Sequence, residues 1–220
     1  MFKIPKRKKY NSAINLIYDR NICTLRRKVK ILIVDDDEFE LTDMLKERKY
    51  DIYYKKDITY AIEAEPFDII VIDIIGIAQA LRSNMEGFAI ARDIKTKYPA
   101  KQVWCYSGSI VKAEISEKLC EIDGYISKDT DLDKWAEKLD RIIEEYSSEE
   151  YQEKVLRKQL IKYRFDSDDI DKIMEEYKKS RKEKNFNSVI DILSSLTANG
   201  ACILETISLI LNFAKLFAQS

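Results

Sequence analysis

The sequence predicts an α/β fold: a five-stranded, parallel, doubly wound sheet followed by an all-α C-terminal region. Between residues 30 and 146 short β-branched runs alternate with helix-period patterns, an alternation that builds a parallel sheet covered on both faces. After residue 147 the strands stop and only helical patterns continue. Five glycines and three prolines in 220 residues argue against a loop-rich all-β fold and against disorder.

The elements follow in order. KILIV, 30–34, is a buried strand that runs into three aspartates. Leu41, Met44 and Leu45 set a helix over 39–49, and YDIYY, 50–54, is the second strand. Residues 57–65 predict a short helix with Asp57 as its N-cap. FDIIVID gives the third strand, apolar to its end and closed by Asp73. A helix over 86–98 buries Phe88, Ile90, Ala91 and Ile94 and ends at Pro99. KQVWCY, 101–106, is the fourth strand, 111–121 a helix, and DGYIS, 123–127, the fifth strand. The helix over 131–146 has Leu132, Trp135, Leu139, Ile142 and Ile143 on one face, and Thr130 with Asp133 reads as its capping box.

Charge divides the chain into three blocks. Residues 1–29 carry nine basic groups and one acid, an N-terminal basic extension; 30–146 carry 17 basic groups and 26 acids; 147–220 carry 12 of each. The extension suits a solvated arm, a polyanion-binding segment or a strap on the acidic middle block. Four scattered cysteines without a Cys-x-x-Cys pair suit reduced thiols in a cytoplasmic protein. No apolar run follows the basic start, so a signal peptide is not expected. There is no histidine, which removes Ser-His-Asp and Cys-His nucleophile systems and His-ligated zinc.

In open parallel sheets ligands bind at the carboxyl ends of the strands. Those ends carry Asp35, Asp36 and Asp37 after strand 1, Asp73 after strand 3, Ser107 and Gly108 after strand 4, and Lys128 after strand 5. Two carboxylates ~4 Å apart repel by about 4 kcal/mol at an effective dielectric near 20. A hard cation relieves that repulsion, and Mg²⁺ suits oxygen ligands completed by phosphate oxygens. A carboxylate can also act as nucleophile and form an acyl phosphate. The cluster therefore predicts phosphoryl chemistry, with Asp73 as the acid that consumes its own charge.

The stretches ILIVDDDE, FDIIVID, YSGS and GYISKD resemble, in order, the signature stretches of the flavodoxin-like receiver domain of two-component response regulators. The resemblance covers about residues 29–146. It implies that Asp35, Asp36 and Asp73 hold Mg²⁺, and that Asp73 is the phosphoacceptor, served by a sensor kinase or a small phosphodonor. It implies that Ser107 and Lys128 bind the phosphoryl oxygens, that Gly108 leaves them room, and that Ser107 and Tyr125 form the switch. It implies no enzyme activity beyond self-phosphorylation and autodephosphorylation. Asp37 falls outside the usual acid pair and reads as a cap or a solvated acid. Three departures border the pocket: a shorter Asp36–Asp73 segment, a longer loop after Asp73 without the usual proline, and Asp129 where the family usually has proline.

The C-terminal region has no basic face, which argues against a DNA-reading output. Ser147 with Glu150 reads as a capping box for a helix over 148–164; Asp166 or Ser167 opens another with Ile170, Ile173, Met174 and Tyr177 inward; 186–197 is a third. The last helix, from 201, is apolar except for one stripe of Glu205, Ser208, Asn212, Lys215 and Gln219. Such a helix needs several neighbours. A bundle core, a homo-oligomer interface and a membrane surface all supply them; charges inside about 20 residues disfavour a span. The leading reading is a phosphorylation-dependent response regulator acting through helical protein contacts. The alternatives are a phosphorylation-independent pseudo-receiver that serves as an assembly module, and an effector whose apolar helices act at a membrane.

Overall fold

Strand residues of one parity face one side of a sheet and the others face the opposite side, and here both parities are apolar. The computed structural model describes residues 21–37, 41–75, 77, 86–108, 116–128, 130–196 and 200–217. Strands β1 (Lys30–Val34), β2 (Asp51–Lys55), β3 (Ile69–Asp73), β4 (Gln102–Ser107) and β5 (Gly124–Ser127) form one sheet in the order β2-β1-β3-β4-β5. Every pairing is parallel. This is the predicted doubly wound sheet, with the strand order of flavodoxin-like folds.

The two faces make two cores. Leu32, Val34, Ile70, Ile72, Val103 and Cys105 pack on helix α3 (Glu86–Lys97) through Phe88, Ile90, Ala91 and Ile94. Ile31, Ile33, Ile69, Val71, Trp104 and Tyr106 face the other way. That face is covered by helix α1 (21–28), by α2 (Thr42–Glu47), and above all by α4 (Leu132–Ser147), which buries Trp135, Leu139, Ile142 and Ile143. Each such side chain stabilises by ~1.5–3 kcal/mol.

Several local expectations change. Residues 57–65 form no α-helix: a 3-10 turn spans Ala61–Ala64, and Glu63 rather than Asp57 receives the preceding N–H groups, from Thr59 at 2.9 Å and Tyr60 at 3.2 Å. A 3-10 helix also spans Ser116–Glu121, where a longer α-helix is predicted. The α4 cap is Asp131, accepting from Lys134 N at 2.9 Å, not Thr130. The next cap is Ser148, accepting from Tyr151 N at 3.1 Å, not Ser147, whose hydroxyl is buried without a partner among the described residues. In both cases two adjacent residues can cap, and the backbone turn selects the second. The basic extension is no uniform arm: residues 21–28 are helical, Ile22 is buried, and Arg26 grips Asp140 of α4 with bonds of 2.6 and 2.8 Å. Residues 1–20, 78–85, 109–115, Asp129 and Gln219 lie outside the described residues.

The C-terminal helices are α5 (Glu149–Lys162), α6 (Ser167–Glu183), α7 (Asn187–Ser195) and α8 (Gly200–Ala214). Asp166 caps α6 by accepting from Asp169 N at 2.9 Å, and Ile170, Ile173, Met174 and Tyr177 are buried as the pattern predicts. Helix α8 packs on α5 and α7. Its core is continuous with the sheet: Phe213 meets Tyr146 of α4 edge-on at 5.8 Å, and both belong to the cluster that holds Ile31 and Val71. Among the described residues no helix is long and apolar enough to cross a membrane. The polar stripe of α8 is divided: Glu205, Ser208 and Asn212 are exposed, whereas Lys215 turns onto the sheet and pairs with Asp68 at 2.7 Å.

Candidate functional site

Parallel strands deliver their carboxyl ends to one edge of the sheet, and that edge gathers the acids. Asp35 directly follows β1, and its N–H still bonds to Lys55 of β2 at 3.2 Å. Its side chain is 4% exposed. Oδ1 accepts from Asp37 N at 3.1 Å, and Oδ2 accepts the hydroxyl of Tyr106. The Tyr54 hydroxyl lies 2.8 Å from the Asp35 carbonyl and 2.7 Å from that of Asp37, and pins the loop from the β2 side. The carboxylates of Asp35, Asp36 and Asp37 come within 4.8 Å of one another, with Asp36 and Asp37 exposed.

Asp73, 3% exposed, ends β3 in register with Tyr106 of β4. Gly87, at the start of α3, is required here: a Cβ would lie 1.8 Å from the Asp73 carbonyl oxygen. Asp73 Oδ1 accepts from Ile75 N at 3.3 Å, and Oδ2 takes the Lys128 ammonium at 2.6 Å. Lys128 follows β5, and its N–H bonds to Ser107 O at 2.9 Å, which sets the side chain over the pocket. Its ammonium also stands 3.5 Å from Asp35 and 5.1 Å from the centre of the Tyr106 ring. One cation thus bridges the acids of β1 and β3.

Electrostatics follow from this packing. Burial pushes the Asp35 carboxyl above its ordinary range, and Asp73 adds to the push; the Asp37 N–H and Lys128 oppose it. Burial pulls the Lys128 ammonium down, but its bond to Asp73 and the charges of Asp73 and Asp35 outweigh that and leave it raised.

Ser107 is buried at the end of β4. The Tyr125 hydroxyl bonds to the carbonyls of Ser107 and Gly108, so its ring covers the chain leaving β4. A Cβ at Gly108 would meet nothing within 4 Å among the described residues. The structure therefore brings Asp35, Asp73 and Lys128 into direct contact, with Asp36, Ser107 and Tyr125 around them. Asp37 is exposed, as a solvated acid would be, and lies within the acid group. Tyr106 and Tyr54 were not read from sequence. Alternation along β4, which puts Tyr106 on the face shared by Asp73, is the signal that finds the first.

The donor set suits Mg²⁺: three carboxylates, all oxygen, one of them buried. A cation drawn to Asp35 or Asp73 would meet Lys128 already bonded to both.

No family model matches the sequence, and no curated protein matches it. Solved structures do. The receiver domain of NtrX from Brucella abortus is 20% identical with a TM-score of 0.45, covering 52% of this chain and 98% of that one. The signal receiver domain of an HD domain-containing protein from Pseudomonas fluorescens Pf-5 is 23% identical with a TM-score of 0.46, covering 56% and 93%. A CheY-like response regulator receiver domain protein from Methanospirillum hungatei JF-1 is 22% identical with a TM-score of 0.40, covering 54% and 95%. All three of these solved structures are receiver domains.

Proposed function

We propose that this chain is a phosphorylation-dependent response regulator that accepts a phosphoryl group on Asp73 from a sensor kinase or a small phosphodonor. The observation that carries the reading is the shared ammonium: Lys128 holds Asp73 at 2.6 Å and stands 3.5 Å from the buried Asp35. A lysine set between two strand-end acids is placed to follow charge from one group to another.

In this reading an Asp73 carboxylate oxygen forms a bond to phosphorus. The bond from phosphorus to the donor's leaving atom breaks, and its electron pair leaves with the donor. An acyl phosphate remains on Asp73, and attack of water on its phosphorus returns the carboxylate and inorganic phosphate. Mg²⁺ held by Asp35, Asp36 and Asp73 supplies neutralisation of the phosphoryl oxygens. Lys128 moves from the carboxylate to the phosphoryl group, the Ser107 hydroxyl turns to the same oxygens, and Tyr125 loses its present bonds to the chain after β4. The signal then reaches the C-terminal helices through α4, whose Trp135 packs edge-on to Tyr106 at 5.7 Å. Output is protein contact, including self-association through α8, where Leu204 and Leu211 are 69% and 50% exposed one face apart by two turns. The reading is that of a cytoplasmic protein with no reaction on external substrates.

The test is intact mass after incubation with Mg²⁺ and acetyl phosphate. Wild type is expected to gain one phosphoryl group, Asp73→Asn none. In light scattering the phosphorylated chain is expected to associate, and Leu204→Glu/Leu211→Glu to remain monomeric. A wild type that never gains the mass rules the reading out.

A further inference from the structure

Residues 147–220 carry 12 basic groups and 12 acids, and that balance hides a basic face where none is expected. Helix α5 buries Gln152, Val155, Leu156, Gln159 and Leu160. Its outer face is Lys154, Arg157, Lys158, Ile161 and Lys162, all exposed. Their spacing, at steps of 3, 1, 3 and 1, puts them in one stripe along the helix. Arg164, just past the helix, is exposed as well. From Lys154 to Phe165 the sequence contains no acid. Ile161, in the middle of the row, is 58% exposed.

The neighbouring helix treats its cations differently. On α6, Lys172, Lys178, Lys179 and Arg181 each have an acid between 3.2 and 3.8 Å away. On α5, Arg157 pairs with Asp171 of α6 at 3.1 Å, whereas Lys154, Lys158 and Lys162 pair with no carboxylate among the described residues. The acids beside the row are engaged or set apart from it. Glu153 holds Lys178, Glu149 reaches Arg181, and Glu205 of α8 accepts the Tyr163 hydroxyl. Glu150 is exposed one turn before Lys154, at the end of the row. Like charges four residues apart on a helix repel, so Lys154, Lys158 and Lys162 repel one another, and an anionic surface laid along them relieves the repulsion.

We propose that this face of α5 docks on an anionic lipid surface, with the lysines on the headgroup phosphates and Ile161 among them at the acyl boundary. Ile161 decides the partner. A nucleic-acid backbone has no place for an aliphatic side chain, and the row has no aromatic ring to stack on a base and no amide to read one. A lipid surface takes both parts: lysine stems lie along it with their ammonium groups at the headgroups, and the aliphatic side chain between them leaves water. Each lysine near an anionic leaflet strengthens attachment about fivefold, so the contact is peripheral and reversible. The face is independent of the phosphoryl chemistry. Helix α5 lies against the turn before β4, where the Tyr151 hydroxyl donates to Ala100 O at 3.2 Å, at the far end of the strands from Asp73.

The test is co-sedimentation of the full chain, without phosphodonor, with vesicles of phosphatidylcholine and phosphatidylglycerol in equal parts and with vesicles of phosphatidylcholine alone. Binding is expected on the anionic vesicles and not on the neutral ones. It is expected to be lost when salt rises to about 1 M, where the screening length falls to ~3 Å. Residues 1–20 carry six basic groups of their own, so the variants decide. Lys154→Gln/Lys158→Gln/Lys162→Gln changes exposed side chains alone and is expected to fold as wild type by circular dichroism. It is expected to bind roughly a hundredfold more weakly, the product of three such losses. Ile161→Ser, with every charge kept, is expected to weaken binding severalfold. Absence of binding to the anionic vesicles, or equal affinity in wild type and the triple variant, overturns the proposal. Equal affinity in wild type and Ile161→Ser, or tighter binding of a DNA duplex than of the vesicles, overturns it as well, because the face then answers to charge alone.

Discussion

The two ends of strand β3 each present a buried aspartate to a lysine. Asp68, just before the strand, meets Lys215 at 2.7 Å; Asp73, at its end, meets Lys128 at 2.6 Å. Both acids are nearly inaccessible, 4% and 3% exposed. The difference is saturation. Asp68 collects donors from β1, α4 and the end of α8. Asp73 has Lys128 and one long bond from Ile75, and shares its lysine with Asp35. A carboxylate whose charge is fully met is a latch. A carboxylate that must share one cation with a neighbouring acid is poised to exchange partners, as the proposed chemistry requires.

Stability should separate the two most sharply. Asp68→Ala leaves the buried Tyr146 hydroxyl, the Lys30 N–H and the Lys215 ammonium without their acceptor. Breaking a buried pair in this way costs about 3–5 kcal/mol, and a loss of about 3 kcal/mol is expected in urea unfolding. Asp73→Ala should lie within about 1 kcal/mol of wild type, because Lys128 keeps Asp35 and one source of acid repulsion disappears. Equal losses at both positions would erase the distinction between latch and reactive site.

How much of this was legible in the sequence follows the same division. The strand-end acids, Ser107 and Lys128 could be read because a parallel sheet gathers strand ends at one edge, whatever the loops do. Asp68 could not: its partner Lys215 lies 147 residues away, and its meaning depends on how α8 docks. The helix at 21–28 was hidden for a related reason. Its basic residues read as a solvated arm, a polyanion-binding segment or a strap on the acidic block; Ile22 and the Arg26–Asp140 pair make residues 21–28 the strap, and they need α4 in place. The caps at Asp131 and Ser148 were missed by one position because neighbouring residues can both cap. The apolar breadth of α8 pointed correctly to several neighbours without naming the sheet as one of them.

A metal titration probes the reactive end. In the proposed reading Lys128 and Mg²⁺ neutralise the same acids, so removing the lysine would leave Asp35 and Asp73 to be satisfied by metal alone. At an effective dielectric near 20 one charge at ~4 Å is worth about 4 kcal/mol, most of it screened or relaxed in a half-exposed site. Lys128→Ala is expected to tighten Mg²⁺ binding about tenfold in calorimetry while losing the coupling between phosphorylation and association. Weaker Mg²⁺ binding in the variant would mean that Lys128 organises the acids instead of competing for them.

The smallest expected effect belongs to the latched end and has a sign fixed by Lys101. Its pKa falls from 10.5 in the unfolded chain to about 8 in the folded protein, chiefly through burial, with Lys215 adding to the fall and Asp68 and Glu65 opposing it. Below pH 8 both states hold the proton, and the folded state bears the cost of a buried charge. Between about 8 and 10.5 the unfolded chain binds more protons than the folded one, so stability from this group rises with pH; above 10.5 both are neutral and the penalty is gone. Buried tyrosines such as Tyr146, whose hydroxyl is held protonated by burial and by Asp68, push the other way near the top of that range. The difference between wild type and Lys101→Met isolates the lysine. In urea unfolding at pH 7.5 and pH 10, wild type is expected to gain about 1 kcal/mol on the variant after allowance for solvent screening. A difference that stays flat across the two pH values would mean that the Lys101 ammonium is as well solvated as in the unfolded chain.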